Sequence, residues 1–190
     1  MRWIARSIVA WVAVLSLAGC GGGGGTIDPK DENVSLVYGY FDMKDAPAKV
    51  DWVRLRKYEP GAKEAEGYSM ATSDGMFFHV GIEPGSYQVE KFGNNGGFFS
   101  SPIEWSFGGR GRNGTAIRIT KPGVYFVGSH RYIKHPGKGF FEADRFDMQA
   151  VKTPGEKEVL QRVVQRLETD PELKGYTRQL QLAKKRLGEL

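Results

Sequence analysis

The chain has 190 residues, of which 27 are lysine or arginine and 22 are aspartate or glutamate, so its formal net charge is +5 at pH 7. That excess is too small to favour nucleic-acid binding, which usually shows as a clustered basic stripe. A single cysteine, Cys20, excludes an internal disulfide.

The first nineteen residues have the three parts of a secretory signal peptide. Arg2 and Arg6 give a positively charged start, and an apolar run follows at 8–17. Small residues, Ala18 and Gly19, close the segment. The apolar run is too short for a membrane-spanning helix, which needs about twenty residues. We therefore expect residues 1–19 to be removed, leaving 25 basic and 22 acidic residues in the mature protein.

The sequence Leu17-Ala18-Gly19-Cys20 resembles the lipobox of bacterial lipoproteins. The resemblance implies cleavage after Gly19, a diacylglycerol on the Cys20 thiol and an acylated new amino terminus. Two or more acyl chains suffice for stable membrane anchoring. In that family, an aspartate after the cysteine favours the inner membrane. Gly21 occupies this position, so the periplasmic leaflet of the outer membrane is favoured. The alternative is an ordinary signal peptide that happens to end before a cysteine.

Five glycines at 21–25 begin a segment without apolar periodicity. We expect residues 20–33 to comprise the lipidated cysteine and a flexible tether. A Gly-rich coil of about thirteen residues has a mean span near 20 Å. The folded part would then lie about one small-domain diameter from the lipid surface, able to rotate but not to leave.

Between residues 34 and 152, short apolar runs alternate with glycine, proline and asparagine breaks. This spacing predicts a mainly β domain, an antiparallel β-sandwich. Ile103, Trp105 and Phe107 alternate with polar residues, so they share one face of a strand. Eight strands are expected, at 35–42, 52–58, 76–80, 86–92, 103–107, 115–119, 124–133 and 141–148.

The stretch DGMFFHVGIEPGSYQVEKF, residues 74–92, resembles the hairpin of carboxypeptidase-regulatory-like and transthyretin-like (prealbumin-like) domains. The positions that match the motif are Gly81, Ile82, Pro84, Gly85 and Tyr87. The resemblance implies a transthyretin-like sandwich. Strand alternation separately predicts inward side chains at Phe78, Val80, Ile82, Tyr87 and Val89.

Residues 153–190 form a predicted pair of amphipathic helices. Thr153-Pro154-Gly155-Glu156 fits a capping box with Thr153 as N-cap, and Asp170-Pro171 fits a second helix start. Their apolar stripes are Val159, Leu160, Val163, Val164 and Leu167, then Leu173, Tyr176, Leu180, Ala183 and Leu187. The pair either packs on the sandwich or binds a partner.

The sequence predicts no catalytic residue, metal site or cofactor. GRGRNG at 109–114 has the glycine spacing of a dinucleotide-binding motif, but a strand rather than a helix is expected after it. His79, His130 and His135 have no metal-ligand spacing, and no G-x-S-x-G elbow is present. The basic and aromatic stretch at 130–141 is a secondary candidate for contact with lipid headgroups or glycan.

The main candidate binding surface lies on the second predicted strand. If Val53 and Leu55 face the core, an aromatic and arginine row faces outward: Trp52, Arg54, Arg56 and Tyr58. Such residue types are favoured in binding hot spots and can stack on sugars. The structural alternatives are that the row lies under the helical tail or covers an edge strand, where arginine discourages pairing.

We therefore predict a lipid-anchored, periplasm-facing lipoprotein that acts without catalysis, as an interaction or scaffold module of the cell envelope. Its expected partners are membrane lipid, through Cys20, and an envelope protein. The alternative is a cell-wall glycan-binding protein or an envelope enzyme.

Overall fold

The computed structural model describes residues 28–58, 66–97, 100–107, 114–137 and 145–190. The predicted signal peptide and Cys20 lie outside the described residues. In these ranges no helix has the length and apolar character needed to cross a bilayer. The elements are β1 Ser35–Asp42, β2 Trp52–Lys57, β3 Gly67–Ser73, β4 Met76–Ile82, β5 Gly85–Asn94, β6 Ile103–Ser106, β7 Ile117–Ile119, β8 Val124–His135, β9 Arg145–Val151, α1 Glu156–Thr169 and α2 Thr177–Glu189.

The strands form one curled sheet in the order β6-β5-β2-β3-β4-β1-β8-β9, with β7 paired to β5. Strand β3 pairs with β2 at 67–71 and with β4 at 72–73, so it joins two halves of the sheet. The prediction of a purely antiparallel sheet is wrong at β1 and β8, which are parallel. A parallel pair needs a long crossover connection, and here the six intervening strands provide it.

The curl brings strands that are distant in the sheet order together around one core, which we call the inner core. The ring of Phe41 in β1 lies 5.0 Å from that of Phe92 in β5. Trp105 in β6 lies 6.2 Å from Tyr132 in β8. All nine strands contribute buried residues to this core. The two halves of the sheet therefore face each other across aromatic side chains.

A second core lies between the helices and the outer side of β1, β4 and β8. Leu36 and Tyr38 of β1 pack there, together with the predicted apolar stripes of both helices. The Tyr38 hydroxyl donates to Glu156 Oε1 over 3.2 Å, and Arg186 Nε donates to the same oxygen over 3.0 Å. Of the two alternatives for the tail, packing on the sheet is the one observed.

Three strand predictions need correction. Strand β3 was not predicted, because Met70 is its only buried residue. The last strand is described at 145–151, so it extends beyond the predicted end at 148, whereas residues 141–144 lie outside the described part. Residues 74–92 do not form a hairpin, because β4 pairs with β1 and β3 while β5 pairs with β2, β6 and β7.

The inward-facing prediction is right for Ile82, Tyr87 and Val89, which lie in the inner core. It is wrong for Phe78 and Val80, which pack in the second core under the helices. Strand β4 is covered on both sides, so an apolar residue on it does not by itself identify the inner face.

Both helix starts differ from prediction. The N-cap of α1 is Gly155 rather than Thr153, and the Glu158 carboxylate accepts from the Gly155 N–H over 3.0 Å. The Ser129 hydroxyl binds the Pro154 carbonyl over 2.6 Å, which ties Pro154 to the sheet. Asp170 caps only a 3₁₀ turn at 171–173, and α2 begins at Thr177.

Residues 28–33, the end of the predicted tether, lie in turns against the helical pair. The Asp28 carboxylate accepts from the Lys30 N–H over 2.9 Å, and the Asp31 N–H donates to the Asp28 carbonyl over 2.9 Å. Pro29 packs so closely on Gly175 that a Cβ there would be 3.1 Å from its ring. This segment therefore belongs to the folded body.

Candidate functional site

The predicted binding row lies on a central strand. Val53 and Leu55 are fully buried in the inner core, whereas Trp52, Arg54 and Arg56 face outward. Strand β2 is paired on one side with β3 and on the other with β5, so it is not an edge strand. The helices pack against β1 and β8 in the other half of the sheet. Both structural alternatives for the row are therefore wrong.

The two arginines of the row share one carboxylate. Arg56 Nη1 lies 2.7 Å from Glu90 Oε1, and Arg54 Nε lies 3.4 Å from Glu90 Oε2. Arg56 is the more enclosed, with 14% of its side chain exposed against 36% for Arg54. Arg56 also places its guanidinium 5.6 Å from the centre of the Tyr58 ring. Such contacts hold planar side chains in fixed positions on the surface.

Glu90 reaches the arginines because β5 contains a β-bulge. Opposite β2, Arg54 pairs with Lys91 and Leu55 pairs with Val89, so Glu90 is the extra residue. Val89 and Phe92 are both in the inner core although three positions separate them. Regular alternation would put their side chains on opposite faces of the sheet. The extra residue in the bulge lets both side chains face the inner core.

Trp52 lies over a glycine. A Cβ on Gly93 would be 2.5 Å from Trp52 Cζ2 and 2.8 Å from Cε2, so the indole occupies the space above this position. On the other side Trp52 pairs with Ala71, which is exposed. Gly93 therefore accommodates the indole on one side, and the exposed Ala71 adjoins Trp52 on the other. Trp52 itself is half-buried.

A second ion pair extends this surface to β6. Lys91 Nζ lies 2.9 Å from Glu104 Oε1, and Gly93 pairs with Glu104 in the sheet. We call the surface of Trp52, Arg54, Arg56, Tyr58, Glu90, Lys91 and Glu104 the outer face. Its three bases and two acids nearly balance, so it is a polar and aromatic surface rather than a strongly charged one.

The histidines do not converge on a site. His79 Nδ1 accepts from the Gly81 N–H over 3.1 Å, and burial lowers its pKa to about 4. His130 is buried beside Phe41, and burial lowers its pKa as well. Its burial removes it from the secondary surface candidate at 130–141, of which residues 138–141 lie outside the described part. Across the described ranges no group of three or more His, Cys, Asp or Glu could hold a metal ion.

The sequence prediction found the row but missed its partners on β5 and β6. Glu90, Gly93 and Glu104 were not singled out, because strand pairing cannot be read from one strand. The three-residue spacing between Val89 and Phe92 was the available signal for the bulge.

No protein-family model matches the chain, and no match exists among curated proteins or solved structures. The function of the outer face must therefore be argued from its own residues.

Gly93→Ala tests the packing of the indole. The new Cβ would contact Trp52 and also the Ile103 carbonyl, 2.7 Å away, and a backbone atom cannot move aside cheaply. We expect a loss of about 1–3 kcal/mol in the free energy of unfolding, with a change in Trp fluorescence, measured by urea titration. Gly188→Ala is the control, because nothing lies within 4 Å of a Cβ there. Equal effects of the two changes would contradict the placement of Trp52.

His79→Gln tests the half-buried imidazole. An unfolded histidine has a pKa of about 6.5, whereas the folded value is about 4. As the pH falls below 6.5, the unfolded chain gains a proton that folded His79 does not, so the native state loses stability until about pH 4. Over this pH range His79 alone lowers the free energy of unfolding by about 3 kcal/mol. His79→Gln should remove this part of the pH dependence in urea titrations, while His135→Gln, at an exposed position, should not. Identical profiles for the wild type and His79→Gln would contradict the prediction.

Proposed function

We propose that the protein is a lipid-anchored, non-enzymatic interaction module of a bacterial cell envelope. Acyl chains on Cys20 would hold it at the periplasmic leaflet, by preference that of the outer membrane. The outer face would bind an envelope protein. Anchoring raises the local concentration of the module, so weak contacts suffice for capture.

The observation that carries this proposal is the position of the outer face. It lies on the half of the sheet opposite the helical pair, and the described helices do not cover it. Tryptophan, tyrosine and arginine are the residue types most enriched among binding hot spots. Here the shared Glu90 carboxylate orients two arginines beside them, which lowers the conformational entropy lost on binding.

A wall glycan is the second candidate ligand. The observation that favours it is the indole of Trp52, which lies over Gly93 with exposed Ala71 beside it. An aromatic plate flanked by hydrogen-bonding side chains suits the apolar face and hydroxyl groups of a sugar. The near balance of charge on the outer face also fits a neutral ligand better than a strongly charged one.

The transthyretin-like sandwich likewise belongs to the proposal. It is supported by two sheet halves that enclose one core and by the Gly81–Tyr87 motif, which connects a strand of one half to a strand of the other. The parallel β1–β8 pair is a departure from the antiparallel arrangement expected for such a sandwich.

Cys20→Ala tests the anchor. Without the thiol no acyl chain can be attached, so the protein should move from the membrane pellet to the soluble fraction after a high-salt wash. Gly21→Asp is the matched control, because it keeps the cysteine and, by the sorting rule of the lipoprotein family, should move the protein to the inner membrane without releasing it. A Cys20→Ala protein that still pellets with membranes would refute the anchor.

A double change, Trp52→Ala with Arg54→Ala, tests the outer face. In intact-cell crosslinking it should strongly reduce the yield of crosslinked partner and leave the melting temperature within a few degrees of wild type, because neither side chain is in a core. The control is Lys157→Ala with Lys185→Ala, at exposed positions on the helices. Unchanged crosslinking would show that the partner binds elsewhere, and a large fall in melting temperature would show that the row is structural.

A further inference from the structure

The place where the chain enters the folded body limits how the body can lie on a membrane. Residues 28–33 are held in turns, and Arg178 Nη1 donates to the Glu32 carbonyl over 2.5 Å. Pro29 lies against Gly175, between the 3₁₀ turn and α2. The connection to Cys20 therefore leaves the body at the helical pair, and it starts at Asp28 rather than at β1.

This attachment shortens the segment that links Cys20 to the folded body, which we call the leash. From Cys20 to Asp28 the chain advances eight residues, which reach at most about 28 Å whatever their conformation. From Cys20 to Val34, where the tether would have ended, fourteen residues would reach about 50 Å. Docking of residues 28–33 thus removes nearly half of the possible reach.

The shortened leash is small compared with the body. A compact chain of about 160 residues has a diameter near 40 Å, so the path around half of its circumference is roughly 60 Å. A leash of 28 Å cannot follow that path. The surface opposite the attachment point therefore cannot reach the bilayer that holds the acyl chains.

We infer that the surface around Gly175, at the start of α2, lies against the headgroups of the anchoring bilayer, and that the outer face points away from it. This inference depends on the acylation of Cys20 under the proposed function. One side of the body would then face the lipid surface, and the opposite side would stay accessible to a partner.

Charge attraction is not the cause of this orientation. The ionisable residues around the attachment point nearly cancel: Asp28, Lys30, Asp31, Glu32, Glu172, Lys174 and Arg178. The orientation should therefore persist in high salt and on vesicles of neutral phospholipid, whereas an electrostatically bound surface would detach as salt screens it.

The lipidated protein allows a direct test, because acylation of Cys20 leaves no other thiol in the chain. A fluorophore would be placed at Lys174→Cys, beside Gly175, or at Ser69→Cys, which pairs with Arg54 on the outer side of β3. Both positions are exposed. The acylated variants would be reconstituted in neutral phosphatidylcholine vesicles that contain a phospholipid with a nitroxide on its headgroup.

The Lys174→Cys label should be quenched several-fold more than the Ser69→Cys label. A helix layer and the spacing between two sheet halves place position 69 about 20 Å farther from the lipid. Insertion of twelve glycine and serine residues after Gly25 should abolish the difference, since the leash could then reach about 70 Å. The Arg178→Ala change, which removes the bond to Glu32, should reduce it.

Equal quenching at both positions, or stronger quenching at position 69, would overturn the inferred orientation when mass spectrometry shows that Cys20 is acylated. A free Cys20 thiol in protein isolated from cells would instead overturn the proposed anchor, and the orientation with it. The unacylated Cys20→Ala protein added to the same vesicles should show no difference between the labels.

Discussion

Burial of β1 on both faces is the constraint on which the rest of the fold depends. Val37 and Phe41 point into the inner core, and Leu36 and Tyr38 point into the second core. Each such side chain contributes about 1.5–3 kcal/mol by leaving water. At Gly39, on the inner side, a Cβ would clash with the Phe77 ring. The strand thus joins the curled sheet to the helical pair, and neither layer covers its apolar surface without the other.

The outer face is a consequence of how the inner core is filled. Val89 and Phe92 both point inward only because β5 bulges at Glu90. The bulge leaves this carboxylate outside, between Arg54 and Arg56. Gly93 comes next after Phe92, and its lack of a side chain accommodates Trp52. A packing requirement on one side of the strand therefore positions the charged and aromatic groups on the other.

The sequence predicted the elements whose two sides differ. Strand β2 has valine and leucine on one side and arginine on the other, so its outward row was correctly identified. Both helices show one apolar stripe, and every residue of those stripes is buried or packs in the second core.

The errors occurred where two sides are alike or where the partner is distant in sequence. Phe78 and Val80 read as inner-core residues because β4 is apolar on both sides. Glu90 was missed because its arginines lie more than thirty positions earlier. The N-cap of α1 is Gly155 rather than Thr153, and the residue before it, Pro154, is bound through its carbonyl by Ser129 of β8. Each of these features depends on contacts with a distant segment, which the sequence of one segment does not reveal.

The helical pair both closes the second core and holds the chain that enters the folded body. The residues of α2 that face inward close the second core, while Gly175 and Arg178, at its start, hold the entering chain. If the helices were absent, residues 28–33 would lose their contacts, and the leash would lengthen as the second core became exposed. The outer face, on the opposite half of the sheet, shares no residue with either function. Substitutions there can change binding without disturbing the docking of the helices, because distant sites contribute independently to stability. Under the proposed anchoring, the fold would thus separate the surface that faces lipid from the surface that binds a partner.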